Sequence, residues 1–186
     1  IYEWAIRMMK MKSKSWDPVV KVTHWVVATL FLLIFFVTKA GSDIHQYTGY
    51  TLVAFILIRL AWGCIAPPPA RLTSFSPSIS NAMEHIVEVL ETRKDKHLGH
   101  NPAGAVMIWC MWTGLIIAGI SGFIMEANLF GDDKWVKLIH HGAVNITFIC
   151  VCIHVGAVIV MGRITGRSYI LSILPRCMDK KLSSTK

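Results

Sequence analysis

The chain has 186 residues, of which 54% are hydrophobic and only 16% are charged. A composition this apolar excludes an ordinary soluble domain, and the length allows several membrane spans. The formal net charge of +8 would suit a nucleic-acid partner. The basic residues, however, lie where a membrane topology needs them, so we expect no nucleic-acid binding.

Four apolar segments predict the fold class. They cover about residues 17–40, 44–63, 103–125 and 134–161. Each is long enough to cross the hydrocarbon core, which takes about 20 residues. Lys and Arg are concentrated in the N-terminal stretch, in the long loop between the second and third segments, and in the C-terminal tail. Because cytoplasmic segments carry the excess of Lys and Arg, the sequence predicts an all-α, integral membrane four-helix bundle with both termini in the cytoplasm. We expect one domain over residues 1–186.

The first predicted helix begins at Asp17 and Pro18. Asp caps helix N-termini, and Pro is favoured in the first helical turn. His24 follows about 9 Å along the helix from its cytoplasmic end. A single histidine at this depth is more often an interfacial residue than a metal ligand, so both interpretations stay open at this point.

The second helix carries His45 in its first turn and Arg59 fourteen residues later. At about 100° and 1.5 Å per residue, the two side chains share nearly the same face and lie about 21 Å apart. An arginine near the end of a span often only extends its charge to the interface. The shared face favours another role for Arg59, which is to pair with the carboxylates of a bound cofactor.

The loop between the second and third helices contains an amphipathic segment over residues 77–92. Its apolar stripe consists of Ile79, Met83, Ile86, Val87 and Leu90. This spacing predicts a cytoplasmic helix that lies on the membrane surface or against the bundle. His100 comes just before the third helix. It is either a solvated loop residue or a contact to a cofactor carboxylate or a quinone head group.

The fourth helix carries His140 and His154, again fourteen residues apart. They share a face over about 21 Å, whereas His141 points about 140° away from His154. An interfacial His140 and a hydrogen-bonded core His154 are the simple alternatives. An ionisable residue within a span is costly and usually functional, and histidine is a common ligand of haem iron.

The topology then pairs the four histidines by depth. The first helix runs outward and the fourth runs inward, so His24 and His154 lie near the cytoplasmic side, and His45 and His140 lie near the outer side. This arrangement predicts two His–Fe–His sites, one in each leaflet. The chain has no C-x-x-C-H motif for covalent haem, so we expect two non-covalent haem groups.

Six sequence motifs resemble the bacterial cytochrome b561 family, including the hydrogenase b-subunit-like group. They are WDPVVKVTHW, HQYTGY, LIRLAWG, GHNPAG, the H-x13-H of the fourth helix and GRITGR, over about residues 16–170. The resemblance implies a bacterial inner-membrane cytochrome with two bis-histidine b haems and electron exchange with membrane quinone. It implies that His24, His45, His140 and His154 are axial ligands and that Arg59 contacts a haem propionate.

Bis-histidine ligation leaves no open position on the iron for oxygen or substrate, so electron transfer is the expected function. We expect a conduit that links the quinone pool to a periplasmic redox protein, such as a c-type cytochrome or a dehydrogenase or hydrogenase subunit. One alternative is a superoxide:quinone oxidoreductase that acts on its own. Another is a metal-ion or proton transporter, which would normally need carboxylates that the central stretches of the spans lack.

Overall fold

The computed structural model describes residues 16–95, 101–131 and 134–174. These residues are all helical or irregular, with no strand among them. Four helices are long and apolar enough to cross a membrane: α1 (Pro18–Phe36), α2 (Asp43–Ile65), α4 (Pro102–Glu126) and α5 (Lys134–Thr165). Shorter elements are a 3₁₀ turn (Leu72–Phe75), α3 (Ile79–Thr92) and α6 (Tyr169–Ile173). The predicted all-α membrane bundle with four spans is confirmed.

The start of α1 follows directly from its sequence. The Asp17 side chain accepts hydrogen bonds from the backbone N–H groups of Val19 and Val20, at 2.8 and 3.4 Å, and Pro18 occupies the first turn. This satisfies N–H groups that the helix itself leaves unpaired. We call this end of the bundle the inner end and the opposite end the outer end.

The turn between α1 and α2 begins earlier than residue 40, where the apolar pattern places the end of the first helix. Helix α1 ends at Phe36, and Gly41 has a φ of 75°, a left-handed conformation that glycine adopts without steric cost. Ser42 then caps α2, since its hydroxyl accepts from the backbone N–H of His45 at 3.3 Å. His45 is thereby placed in the first turn of α2.

The bundle consists of two hairpins. Helix α1 packs on α2, α4 packs on α5, and the two hairpins meet through α2 and α4. Glycines allow α4 to approach both neighbours, because a Cβ atom at Gly114 would collide with Thr147 of α5 and one at Gly119 would collide with Val53 of α2. Within the described residues, α5 does not pack along the length of either α1 or α2.

The interior of the bundle is filled mainly by aliphatic and aromatic side chains. Its buried centre consists of Phe31, Leu52, Ile56 and Leu115. The rings of Phe35 on α1 and Phe148 on α5 stack with centroids 4.3 Å apart and planes inclined by 10°. This stack joins the two hairpins at a position between His140 and His154 along α5.

The inner end of the bundle is closed by α6, which lies across the start of α1. Three side chains of the α1 region bond to this segment: Trp16 Nε1 donates to Ser172 Oγ at 3.2 Å, Lys21 Nζ to the Leu174 carbonyl at 2.9 Å, and Trp25 Nε1 to the Ile173 carbonyl at 3.1 Å. These contacts link residues about 150 positions apart in the sequence, so no local pattern could predict them.

Candidate functional site

The inner pair of histidines lies between α1 and α5, with one ring on each helix. The ring centroids of His24 and His154 are 6.5 Å apart, and the ring planes are inclined by 55°. The backbones of α1 and α5 are kept apart here, since the two helices do not pack along their length. The rings therefore face each other across a gap between two hairpins.

The outer pair lies between α2 and α5 in the same way, with one ring on each helix. The ring centroids of His45 and His140 are 6.3 Å apart, with planes inclined by 59°. His141 is exposed and its ring is nearly perpendicular to that of His140, at 5.9 Å. The structure thus brings His140, and not His141, opposite His45.

Both spacings fit two imidazoles on one metal ion. A metal–nitrogen bond to histidine is about 2 Å long, and the ring centre lies about 1 Å beyond the nitrogen, so two rings on opposite sides of one metal have centroids roughly 6 Å apart. Space beside the rings is also available. A Cβ atom at Gly49, one turn after His45, would meet nothing within 4 Å. The residues present fit a bis-histidine haem in each gap.

Hydrogen bonds orient both rings of the outer pair. His140 Nδ1 lies 2.9 Å from the Ala118 carbonyl and 3.2 Å from Ser121 Oγ, and His45 Nδ1 lies 3.0 Å from Thr38 Oγ1. A carbonyl only accepts, so His140 Nδ1 carries the hydrogen. Thr38 Oγ1 donates to the Ile34 carbonyl at 3.0 Å, which leaves it to accept from His45 Nδ1. Each ring then keeps an unprotonated Nε2, which is the form in which a histidine can bind a metal.

The inner pair has different surroundings. In the described part of the chain, neither the His24 ring nor the His154 ring takes part in a hydrogen bond. The Trp25 ring meets the His24 ring edge to face, with centroids 5.3 Å apart. The orientation of the inner rings therefore depends on packing rather than on directed bonds.

Arg59 lies at the inner end of α2 and is only 4% exposed. Its Nη2 donates to the Ala70 carbonyl at 3.0 Å, and its guanidinium carbon lies 5.5 Å from the Trp112 ring centre and 5.8 Å from the Phe75 ring centre. Nη1 is enclosed and has no partner within the described residues. A buried cation with an unused donor is costly, which makes an added acceptor favourable here.

Two further polar features were not found from the sequence. Trp62 Nε1, three residues after Arg59, is also buried without a partner in the described part of the chain. The Asp95 carboxylate contacts polar groups of α3, α4 and α6. It lies 3.4 Å from His85 Nε2, accepts from Asn101 Nδ2 at 3.3 Å and accepts from the Tyr169 hydroxyl at 2.8 Å. His100 falls outside the described residues. Its neighbour Asn101 caps α4, since Oδ1 accepts from the Gly104 N–H at 2.7 Å.

Among residues 16–95, 101–131 and 134–174, no three His, Cys, Asp or Glu side chains gather at one point. Within those ranges, each histidine pair therefore has no third protein ligand close by. Two opposed ligands suit a metal whose other positions are filled by a macrocycle, as in haem.

Comparison with known proteins identifies the family of the chain. The family model described as Prokaryotic cytochrome b561 matches residues 15–176. The chain belongs to this family. The resemblance seen in the sequence is thereby confirmed. Membership in the prokaryotic cytochrome b561 family implies binding of b-type haem and electron transfer in a bacterial membrane.

Two curated relatives are similar to this b561-family chain. Both are called "Probable Ni/Fe-hydrogenase B-type cytochrome subunit", one from Azotobacter vinelandii and one from Azotobacter chroococcum mcd 1. Each is 24% identical over 148 residues, which cover 64% of this chain and 62% of the relative. The chain therefore matches less than two thirds of the length of these relatives. No solved structure gives a significant match.

Proposed function

We propose that this cytochrome conducts electrons across the membrane through two non-covalent haem b groups, between a periplasmic redox protein and membrane quinone. The observation that supports this most is the pair of ring spacings, 6.5 Å for His24–His154 and 6.3 Å for His45–His140. Bound haem supplies the one-electron chemistry, and the protein supplies position and electrostatics.

Each residue of the two sites has a proposed role. His24 and His154 hold the inner haem iron, and His45 and His140 hold the outer one. Thr38 and Ser121 fix the outer rings through their Nδ1 atoms. Arg59, near the inner end of α2, provides a positive charge and an unused donor for a haem carboxylate. With two histidines holding each iron, neither site would be expected to bind oxygen or substrate.

The proposed orientation puts the inner end in the bacterial cytoplasm. Its support is the distribution of charge, since cytoplasmic segments carry the excess of basic residues. Basic residues lie at the inner ends of two helices: Arg93 and Lys94 follow α3, Arg163 is in the last turn of α5, and Arg167 follows α5. Both chain termini lie on this side in the proposed topology.

The outer partner is proposed to be a periplasmic redox protein, such as a hydrogenase or dehydrogenase subunit or a c-type cytochrome. The outer loop around residues 125–137 supports this, because Leu129, Phe130 and Trp135 are all more than half exposed. The Phe130 and Trp135 rings lie 5.4 Å apart and form one aromatic surface. The relatives named as hydrogenase cytochrome subunits favour a hydrogenase-type partner.

Quinone is proposed to exchange electrons at the inner site. Polar groups that suit a quinone head group occur there: Asn101 at the start of α4 and Arg163 in the last turn of α5. His100 belongs to the same proposed contact set. A haem at the inner histidine pair would be the nearer of the two to this end of the membrane.

The proposal is tested by a reduced-minus-oxidised visible spectrum of the purified chain, with haem and protein quantified in the same sample. We expect two low-spin b haems per chain. Reduction by a quinol analogue is then followed in variants that lack one haem. Loss of the inner haem in His24→Ala should abolish quinol reduction of the outer haem. A normal rate in that variant would place quinone at the outer site, and a haem-free protein would refute the proposal and favour a transporter.

A further inference from the structure

We propose that α3 is an interfacial helix whose apolar face inserts into the lipid leaflet at the inner end of the bundle. This face, called the apolar stripe, consists of Ile79, Met83, Ile86, Val87 and Leu90. The exposed fraction is 76% at Ile79, 59% at Met83 and 57% at Leu90. A contiguous exposed apolar surface of this kind marks an interaction site. The inference does not depend on the haem proposal.

Helix α3 has three faces with different surroundings. Ala82, His85 and Val89 form the buried face, and this face packs towards α4. At 100° per residue, the apolar stripe is centred about 100° from that buried face. The acidic side chains Glu84 and Glu91 are exposed and lie about 105° from the stripe on its other side. The bundle therefore covers one face only, and the apolar and acidic faces are separated.

The depth of α3 follows from its contacts with α4. Trp109 Nε1 donates to the Phe75 carbonyl, just before α3, at 3.1 Å, and Trp109 lies about 10 Å inside α4. At the other end, Asp95 accepts from Asn101, the residue that caps α4. Helix α3 thus runs obliquely. It starts at a depth inside the α4 span and ends at the depth where α4 begins.

This range of depth matches the boundary between acyl chains and head groups, where amphipathic helices bury their apolar face by about 5–10 Å. The shallow end of α3 is followed by Arg93 and Lys94, both exposed. Basic residues at this level are attracted to anionic lipid head groups. The acidic face, on the far side, meets water. Separation of charge and apolar surface across one helix fits a lipid surface as the partner, rather than a second protein.

The test uses the full-length, haem-loaded chain in phosphatidylcholine–phosphatidylglycerol liposomes. Single nitroxide labels are introduced into a variant whose native cysteines are replaced by serine or alanine. The labelled positions are Ile79, Met83 and Leu90 on the apolar stripe, and Glu84 and Glu91 as matched controls on the acidic face.

We expect labels on the apolar stripe to be relaxed by oxygen and shielded from an aqueous nickel chelate, with the label at 79 deeper than the label at 90. Labels at 84 and 91 should show the reverse. Equal access of the nickel chelate to positions 83 and 84 would refute the proposal. So would shielding of position 83 from both reagents, because that result means a protein covers the stripe.

A second measurement keeps the native cysteines and so does not depend on folding of the labelled variant. A benzophenone amino acid replaces Met83 or Glu84 in the otherwise natural chain, and the liposomes are irradiated. We expect a lipid adduct at position 83 at several times the yield at position 84. A protein–protein adduct at 83, or equal lipid yields at the two positions, would overturn the inference.

Discussion

The two histidine pairs have nearly the same ring spacing but very different surroundings. In the outer pair, both Nδ1 atoms donate hydrogen bonds, His45 to Thr38 Oγ1 and His140 to the Ala118 carbonyl and Ser121 Oγ. In the inner pair, the described residues offer no such bond, and the Trp25 ring meets the His24 ring edge to face. Hydrogen bonds thus orient the outer rings, whereas packing alone orients the inner rings. Four experiments can break or sharpen this contrast.

The largest effect should come from removing one histidine of either pair. We expect His154→Ala to lose the inner haem and His140→Ala to lose the outer one, because each change removes one of only two protein ligands. The haem content should fall from two to one per chain, measured by pyridine haemochrome and protein assay. His24→Ala and His45→Ala should match their partners.

His141→Ala is the matched control for α5, since its ring is exposed next to His140. It should keep both haems. If His141→Ala loses the outer haem while His140→Ala keeps it, the proposed ligand is wrong by one residue.

The second-largest effect should be confined to the outer site. Thr38→Val keeps the shape of the side chain but removes the acceptor for His45 Nδ1. Loss of the hydrogen-bond partner of a metal-binding histidine typically lowers the metal affinity by about 10–100-fold. We therefore expect outer haem binding to weaken by about 10–100-fold in titrations of the apoprotein, with inner binding unchanged.

Ser121→Ala provides a graded comparison for the same site. His140 Nδ1 keeps the Ala118 carbonyl at 2.9 Å after this change, so the loss of affinity should be smaller than for Thr38→Val. Equal weakening of both haems by either variant would show that the hydrogen bonds do not act locally.

Much of this architecture could be predicted from the sequence because it repeats at helical spacing. The four spans follow from apolar length, and the intervals of fourteen residues put His140 with His154, and His45 with Arg59, on shared faces. The structure brings the histidines together in the predicted pairs, although their role as ligands remains a prediction. Contacts between distant segments could not be predicted. The enclosure of Arg59 by Phe75 and Trp112 and the partner of His45 at Thr38 depend on how the helices pack.

Helix α3 shows the same limit of prediction from the sequence. Its sequence predicts an apolar stripe, with His85 outside it, but does not say which face meets the bundle. In the structure His85 is only 3% exposed, and the Asp95 carboxylate lies 3.4 Å from its ring. A polar partner from beyond the helix thus decides which face is buried, and periodicity alone cannot supply that information.

A smaller effect should appear at the inner site when its charge is removed. The positive charge of Arg59 favours the reduced state, which carries one more electron. Arg59→Leu should therefore lower the midpoint potential of the inner haem by tens of millivolts, while haem content stays at two per chain. A redox titration of each haem measures this shift.

Arg93→Leu is the control, because this arginine is exposed and solvent screens its charge. It should leave both potentials nearly unchanged. An equal shift from both variants, or no shift from Arg59→Leu, would remove Arg59 from the inner site.

The smallest effect should come from Tyr169→Phe at the inner end. The hydroxyl donates to Asp95 at 2.8 Å, and burial is the main cause that raises the pKa of Tyr169 above its ordinary value. A hydrogen bond to a charged group contributes about 1.5–3 kcal/mol, and partial exposure of this tyrosine places the expected loss at or below the lower figure. Thermal unfolding in detergent, followed by circular dichroism, measures it.

The sign of the pH dependence follows from the raised pKa. The unfolded chain loses the phenol proton near pH 10, before the folded chain does, so this stabilisation is present below about pH 10 and decreases above it. In Tyr169→Phe that alkaline decrease should be reduced. An unchanged profile would mean that the contact with Asp95 does not stabilise the fold.

The division of the bundle into two hairpins has a consequence for biogenesis. Each hairpin, α1 with α2 and α4 with α5, has its own packing, while the two hairpins meet through α2 with α4 and through the Phe35–Phe148 stack. During synthesis, the first hairpin can enter the membrane before the second has been translated. In the proposed function each haem takes one histidine from each hairpin, so cofactor insertion is the step that would bind the halves together. Two separately expressed halves, divided between α3 and α4, should assemble only in cells that supply haem.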